Sequence, residues 1–241
     1  MTSHIFAKSG YFATDDPDHE LPLGDAHNPL GYWEARPLIE ANVQVFKAVG
    51  YQHHNTWLFD PISDEQAARI PAVPVFAAHR ELVARYDAKA PWIWKDPRLC
   101  FTLGYWWPLM NPQTTAVLLV RRNVDQIFNS FLRMGWVKSE SDRVRIAYLT
   151  AAHIAAAESV IARLSIPHLV IKYEDFDAQP AHMAWRIGDF FGLGLSAGDL
   201  GYRTILNHSS IVGKLTMQAA RGLRFLPAGL KASLRRCMRL G

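Results

Sequence analysis

Disulfides, membrane-length apolar runs and metal-ligand spacings are all missing from this 241-residue chain, and each absence narrows what it does. The two cysteines, Cys100 and Cys237, cannot build a framework. Cys100 follows an apolar segment and reads as a small buried hydrophobe, and a reducing cytoplasm is the expected location. No run of about 18 apolar residues occurs, so no helical membrane span is expected. The first ten residues lack the basic region, long apolar stretch and cleavage site of a secretion signal. Ten histidines include His53-His54 and His153, yet none falls at ligand spacing with a second cluster, so no metal is expected. Internal repeats and low-complexity segments are missing too. A nucleotide kinase needs a phosphate loop with a Lys and a carboxylate for Mg²⁺, and neither is present.

What remains is ordinary globular material, 49% hydrophobic and 20% charged. It suffices for one domain spanning 1–241. The net charge of +4 is unevenly spread. Seven Lys/Arg and no acid lie between Lys214 and Gly241, so the rest of the chain holds 19 basic against 22 acidic residues. That argues against a nucleic-acid-binding face. Segment 214–241 is a basic amphipathic tail, with Leu230, Leu234 and Met238 on one face and Lys231, Arg235, Arg236 and Arg239 around it. It reads either as a solvated helix end or as a peripheral contact with the inner face of a membrane.

Periodicity predicts a helix over 3–9 stopped at Gly10, another over 36–49 closed by Gly50, a short one after Asp64, and one over 75–86. A strand is predicted at Trp92–Trp94 and a helix from Pro97. Thr115–Val120 predicts a strand covered on both faces, followed by a helix capped by Asn123 and reaching Met134. A long Ala-rich helix runs from Ser141 or Asp142 to Leu164. His168–Lys172 predicts a strand, and Pro180–Phe191 a helix ended by Gly192. This alternation predicts an α/β fold, a parallel sheet flanked by helices in three layers.

Two strand ends carry cations. Trp92-Ile-Trp ends in Lys95-Asp96-Pro97-Arg98, and Val117–Val120 ends in Arg121-Arg122-Asn123, with Ser130 two turns down the helix. Such places in an open α/β sheet receive anions. Arg122 at a helix start, with the Ser130 hydroxyl beyond, can hold a phosphate. The alternative is a solvated Arg pair beside a capping Asn. Lys95 leaves a covered strand, and burying it is costly without a partner. Asp96 is the structural partner expected for it, and a transferring anionic group is the functional alternative.

Four segments in order resemble the bacterial branch of the sulfotransferases that use 3′-phosphoadenosine-5′-phosphosulfate (PAPS). They are Asn28-Pro-Leu-Gly-Tyr-Trp-Glu34, Lys95-Asp-Pro-Arg-Leu99, Arg122-Asn123 with Ser130, and Ile171-Lys-Tyr-Glu-Asp-Phe176 followed by Phe190-Phe-Gly-Leu193. The resemblance covers about residues 10–193. It implies a P-loop-NTPase-like fold, PAPS as co-substrate with no metal, and a hydroxyl acceptor on a carbohydrate, glycolipid or small metabolite. It also implies site roles. Arg122 and Ser130 grip the 3′-phosphate, and Tyr173 lies near the adenine or else is a core aromatic. Lys95 faces the sulfuryl group. Glu34 is the candidate general base, or alternatively a helix-start carboxylate near Arg36. Some members carry a His two residues after the strand-end Lys. Pro97 stands there, so Glu34 or Asp96 inherits the base role. Trp57, Trp106, Trp107 and Trp136 line an acceptor cleft or pack in the core.

The chain departs from the family in two places. Val124 replaces a helix-start Pro, a tolerable change. The family's opening strand and glycine loop for the 5′-phosphosulfate have no counterpart in the sequence. The first strand and that loop are therefore expected to be missing, with weak nucleotide binding and little turnover as the expected result. The rival is a non-catalytic, membrane-associated binding module built on the same fold.

Overall fold

A computed structural model of the protein describes residues 2–22, 31–57 and 62–200. The tail 214–241 and the Asn28-Pro29-Leu30 start of the first motif lie outside the described residues. The chain begins with α1 (Thr2–Lys8), which ends before Gly10 at φ +86°, a conformation that glycine adopts without strain. A short α2 (Pro17–Glu20) precedes α3 (Arg36–Ala48), which buries Leu38, Ala41, Asn42, Val45 and Phe46. The helix α4 (Asp64–Arg69) starts from a capping box between Ser63 and Gln66, one residue before the expected Asp64 cap. Then follow α5 (Ala77–Asp87) and α6 (Leu99–Trp106).

The second half alternates strands and helices. It runs through β1 (Val117–Arg121), α7 (Val124–Met134), α8 (Asp142–Arg163), β2 (His168–Lys172), α9 (Asp175–Ala178) and α10 (Pro180–Phe191). The Asn123 side chain accepts the Asp125 N–H and so caps α7. Pro180 sits in the first turn of α10, and Gly192 closes it at φ +68°.

β1 and β2 pair in parallel, from Val117 opposite His168 to Arg121 opposite Lys172. Side chains alternate across this sheet. Leu118, Val120, Leu169 and Ile171 join Ile5 and Phe6 of α1 and Met183, Ala184 and Ile187 of α10. Val117, Leu119 and Val170 join Leu103 of α6 with Ala157 and Ile161 of α8. Helices therefore cover both faces, as expected of a parallel sheet. Outside the ladder, Arg186 of α10 donates from Nη2 to the Val170 carbonyl at 2.9 Å. Helix α8 has the length and mean hydropathy (1.2) of a membrane-crossing helix, but here it packs Ile146, Leu149, Ala157 and Ile161 inward.

The predicted strand at Trp92–Trp94 needs correction: the described residues form a two-stranded sheet. Only Trp92 makes a bridge, to Phe12. Phe12 N–H donates to Pro91 O at 2.8 Å and Ile93 N–H donates to Phe12 O at 2.9 Å. A strand needs a neighbour that keeps pace with it, and the stretch around Phe12 does so for one residue. Ring packing holds the segment instead. Trp94 meets Trp92 at 5.2 Å, Tyr86 at 5.3 Å and Trp106 at 5.1 Å between centroids.

Candidate functional site

The Trp92–Trp94 segment delivers Lys95 to a carboxylate that the sequence placed 61 residues away. Lys95 Nζ donates to Glu34 Oε1, forming an ion pair. The Lys95 side chain is 40% exposed and that of Glu34 22%, so solvent and a small ligand can reach both. Glu34 stands just before Ala35, the N-cap of α3, where the helix field favours a negative charge. The backbone leading to it is unusual. Gly31 has φ +79° and Trp33 φ +60°, and a bulky residue in that region stores strain of about 1–3 kcal/mol. Arg36, the alternative neighbour of Glu34, instead donates to the His19 carbonyl at 3.0 Å.

Asp96 is not the partner of Lys95. Successive side chains of an extended segment point to opposite sides, so Lys95 turns outward and Asp96 turns into the core, fully buried. There its Oδ1 accepts Arg98 Nη1 at 2.8 Å and the Arg98 N–H at 2.9 Å, while Oδ2 accepts Asn42 Nδ2 at 3.0 Å. Asn42 Oδ1 accepts in turn from Thr102 Oγ1 at 2.7 Å and Trp106 Nε1 at 2.8 Å. Arg98 donates from Nε and Nη2 to the His54 carbonyl at 2.7 and 2.5 Å. Burial pushes the Asp96 carboxyl above the ordinary carboxylate range, against the pull of Arg98 and Asn42. This network ties α3, α6 and the 51–57 loop to the base of the Lys95 turn. It also walls Asp96 off from any acceptor. Asn42 was missed from sequence. The available signal was an asparagine on the apolar face of α3, flanked by Leu38, Val45 and Phe46.

The second strand end builds a different arrangement. Arg121 turns to the α8 side and pairs with Glu158. Arg122 lays its guanidinium over the Tyr173 ring at 4.4 Å, a cation–π contact. Its Nε is shielded from solvent and has no hydrogen-bond partner among the described residues, and burial lowers the guanidinium's pKa. Tyr173 is placed by its N–H, which donates to Arg121 O at 2.9 Å just past the ladder. Glu174 Oε1 accepts the Asn123 N–H at 2.8 Å, at the positive end of α7. Ser130 is buried, 8% exposed, two turns along that helix. The structure thus joins Lys95 to Glu34 and Arg122 to Tyr173.

The tryptophans divide. Trp106 is wholly buried and bonded to Asn42, so it lines no cleft. Trp136 is 45% exposed. Trp57 stacks on His153 at 4.2 Å and 11°. His153 lies 3% exposed on α8, with Nδ1 2.7 Å from the Leu149 carbonyl and Nε2 2.8 Å from Thr56 Oγ1. A carbonyl only accepts, so Nδ1 carries the proton and Nε2 accepts from Thr56. Burial pushes this imidazole down to about 4. The unfolded chain then binds a proton between pH 6.5 and 4 that the fold does not, so stability falls as pH falls through that window. The loss attributable to His153 should approach roughly 3 kcal/mol at the acid end. Urea unfolding of wild type and His153→Gln at pH 7 and pH 4.5 tests this, and identical pH slopes would refute it. Cys100 is inert by comparison, its thiol pushed up to about 12 by burial.

Comparison with known families gives a match that agrees with this geometry. The model of the sulfotransferase family matches residues 25–197, more than half of the chain. No curated protein and no solved structure matches significantly.

Proposed function

The chain belongs to the sulfotransferase family, and from that premise we propose that it moves a sulfuryl group from PAPS to a hydroxyl of a carbohydrate, glycolipid or small metabolite. The proposal includes a P-loop-like form of the α/β fold, a nucleotide site at Arg122, and a cytoplasmic location. The observation that carries it is the direct pairing of Lys95 with Glu34. A cation suited to the leaving phosphate and a carboxylate suited to the acceptor proton share one accessible spot, so a sulfuryl group held there can meet both.

The residues also suit the nucleotide. A 3′-phosphate placed beside Arg122 would meet a guanidinium nitrogen that lacks a partner among the described residues, the start of α7, and the Ser130 hydroxyl. Bound PAPS supplies the sulfuryl group and, as leaving group, a phosphate that takes the electron pair of the broken sulfur–oxygen bond. Lys95 stabilises the negative charge that grows on that phosphate. Glu34 takes the acceptor proton as the new sulfur–oxygen bond forms. The acceptor oxygen and the sulfuryl group together would lie between these two side chains, so the Lys95–Glu34 contact opens on binding. Asp96, closed inside its network, takes no proton from the acceptor.

Calorimetry with 3′-phosphoadenosine-5′-phosphate and with AMP, together with transfer of labelled sulfuryl to a panel of glycans, glycolipids and phenols, tests the proposal. Tighter binding of the 3′-phosphorylated nucleotide and labelled product are expected. Equal binding of the two nucleotides would overturn it. Selective binding without transfer to any acceptor would favour the non-catalytic binding module.

A further inference from the structure

Helix α10 shows solvent a large aromatic group on the side that a surface helix normally fills with polar residues. Trp185 is 60% exposed, and Phe190 is 38% exposed. The His182 ring stacks on the Trp185 indole at 5.7 Å between centroids and 23°. His182, Trp185 and Asp189 follow one another at three and four residues, so they line one side of the helix. The opposite side sends Met183, Ala184 and Ile187 into the core with Ile5 and Phe6 of α1. The charge around the outer side is of one sign. From Glu174 to Leu200 the sequence holds five acids, Glu174, Asp175, Asp177, Asp189 and Asp199, against one base, Arg186. Arg186 is already turned to the Val170 carbonyl. An exposed indole rimmed by acids suits a partner that is apolar on one side and cationic around it.

The place where the described chain ends points to that partner. Leu200 is 0% exposed and joins the cluster of Ile5, Phe6 and Ile187, so the chain leaves the fold beside α10. The sequence then continues for 41 residues. Segment 214–241 has seven Lys/Arg and no acid, and Leu230, Leu234 and Met238 recur every four residues, the spacing of one helix side. Leu230 comes 30 residues after Leu200, enough chain to reach any part of a helix about 18 Å long. Tethering also gives the segment a local concentration on the order of millimolar. The tail of a second copy lacks that advantage, and an anionic lipid surface is repelled by the acids of this face.

We propose that the chain's own segment Leu230–Leu240 docks on the outer side of α10, with Leu230, Leu234 and Met238 over Trp185 and with Lys231 and Arg235 against Asp189 and its neighbouring acids. The contact covers an indole that is otherwise open to water, and it pairs the basic end of the chain with an acidic part of its body. It is independent of the sulfuryl-transfer reading.

The test is limited trypsin digestion of the full chain at low micromolar concentration, with cleavage after Arg235 and Arg236 read by mass spectrometry. Cleavage tracks the undocked fraction when docking is fast. Trp185→Ser and Leu230→Ser should each speed it by about 10-fold, and the double variant should add little to either, because both remove one contact. Carbodiimide coupling of wild type, which needs no substitution, should join Lys231 to an acid of segment 174–199. Unchanged cleavage in Trp185→Ser overturns the proposal, as does coupling of Lys231 to acids elsewhere or to none. Protection that grows with protein concentration overturns it by assigning the face to the tail of another copy. Protection that appears only with vesicles of phosphatidylglycerol and phosphatidylcholine overturns it by assigning the tail to a lipid surface.

Discussion

Asp96→Ala is expected to destabilise the fold by about 3–5 kcal/mol, because it strands the Arg98 guanidinium inside the protein without its counter-charge. For a chain of this size that is a fall in Tm of roughly 10 °C. Lys95→Ala, one residue earlier, should move Tm by only about 2–3 °C, since a half-exposed ion pair is worth about 1 kcal/mol or less. Thermal unfolding of the two variants side by side checks the contrast. Similar small shifts for both would show that the Asn42–Asp96–Arg98 network does not carry the weight assigned to it. The contrast matters for function too. It separates a residue that holds the turn from a neighbour that the turn presents.

The second large effect concerns that neighbour. Lys95→Ala should lower the sulfuryl-transfer rate by about 10²- to 10³-fold, the usual cost of removing one preorganised group that stabilises developing charge. Its affinity for 3′-phosphoadenosine-5′-phosphate should stay within about threefold of wild type, because ground-state contacts at Arg122 are untouched. Single-turnover transfer with enzyme in excess reads even a slow rate. A Lys95→Ala rate close to wild type would remove Lys95 from the chemistry. Glu34→Gln, which keeps size but cannot take a proton, should slow transfer by a comparable factor.

Local signals made much of this fold legible from sequence. β2 (His168–Lys172) and α10 (Pro180–Phe191) follow their predicted limits to the residue, because apolar alternation, a first-turn proline and a closing glycine are all properties of the segment itself. Asn123 caps α7 as expected for the same reason. The Trp92–Trp94 segment fails as a strand because pairing depends on a partner distant in sequence, and side-chain type does not reveal whether that partner keeps pace. Adjacency also misleads at Lys95 and Asp96. Neighbours in an extended chain diverge, so each found its partner elsewhere, at Glu34 and at Arg98. On α3 the inward face runs through Leu38, Ala41, Asn42 and Val45. Its polar member, Asn42, showed in the sequence only as an asparagine among apolar residues, while its partners Asp96, Thr102 and Trp106 lie far along the chain.

The Arg186 bond to the Val170 carbonyl bears on how copies of this chain behave at high concentration. An uncovered strand margin is a template on which another polypeptide can add itself. Here a guanidinium already sits on one acceptor of that margin, so an incoming strand must first displace it. Among the described residues, Arg186 of α10 is thus expected to guard that margin, although it has no part in the proposed chemistry.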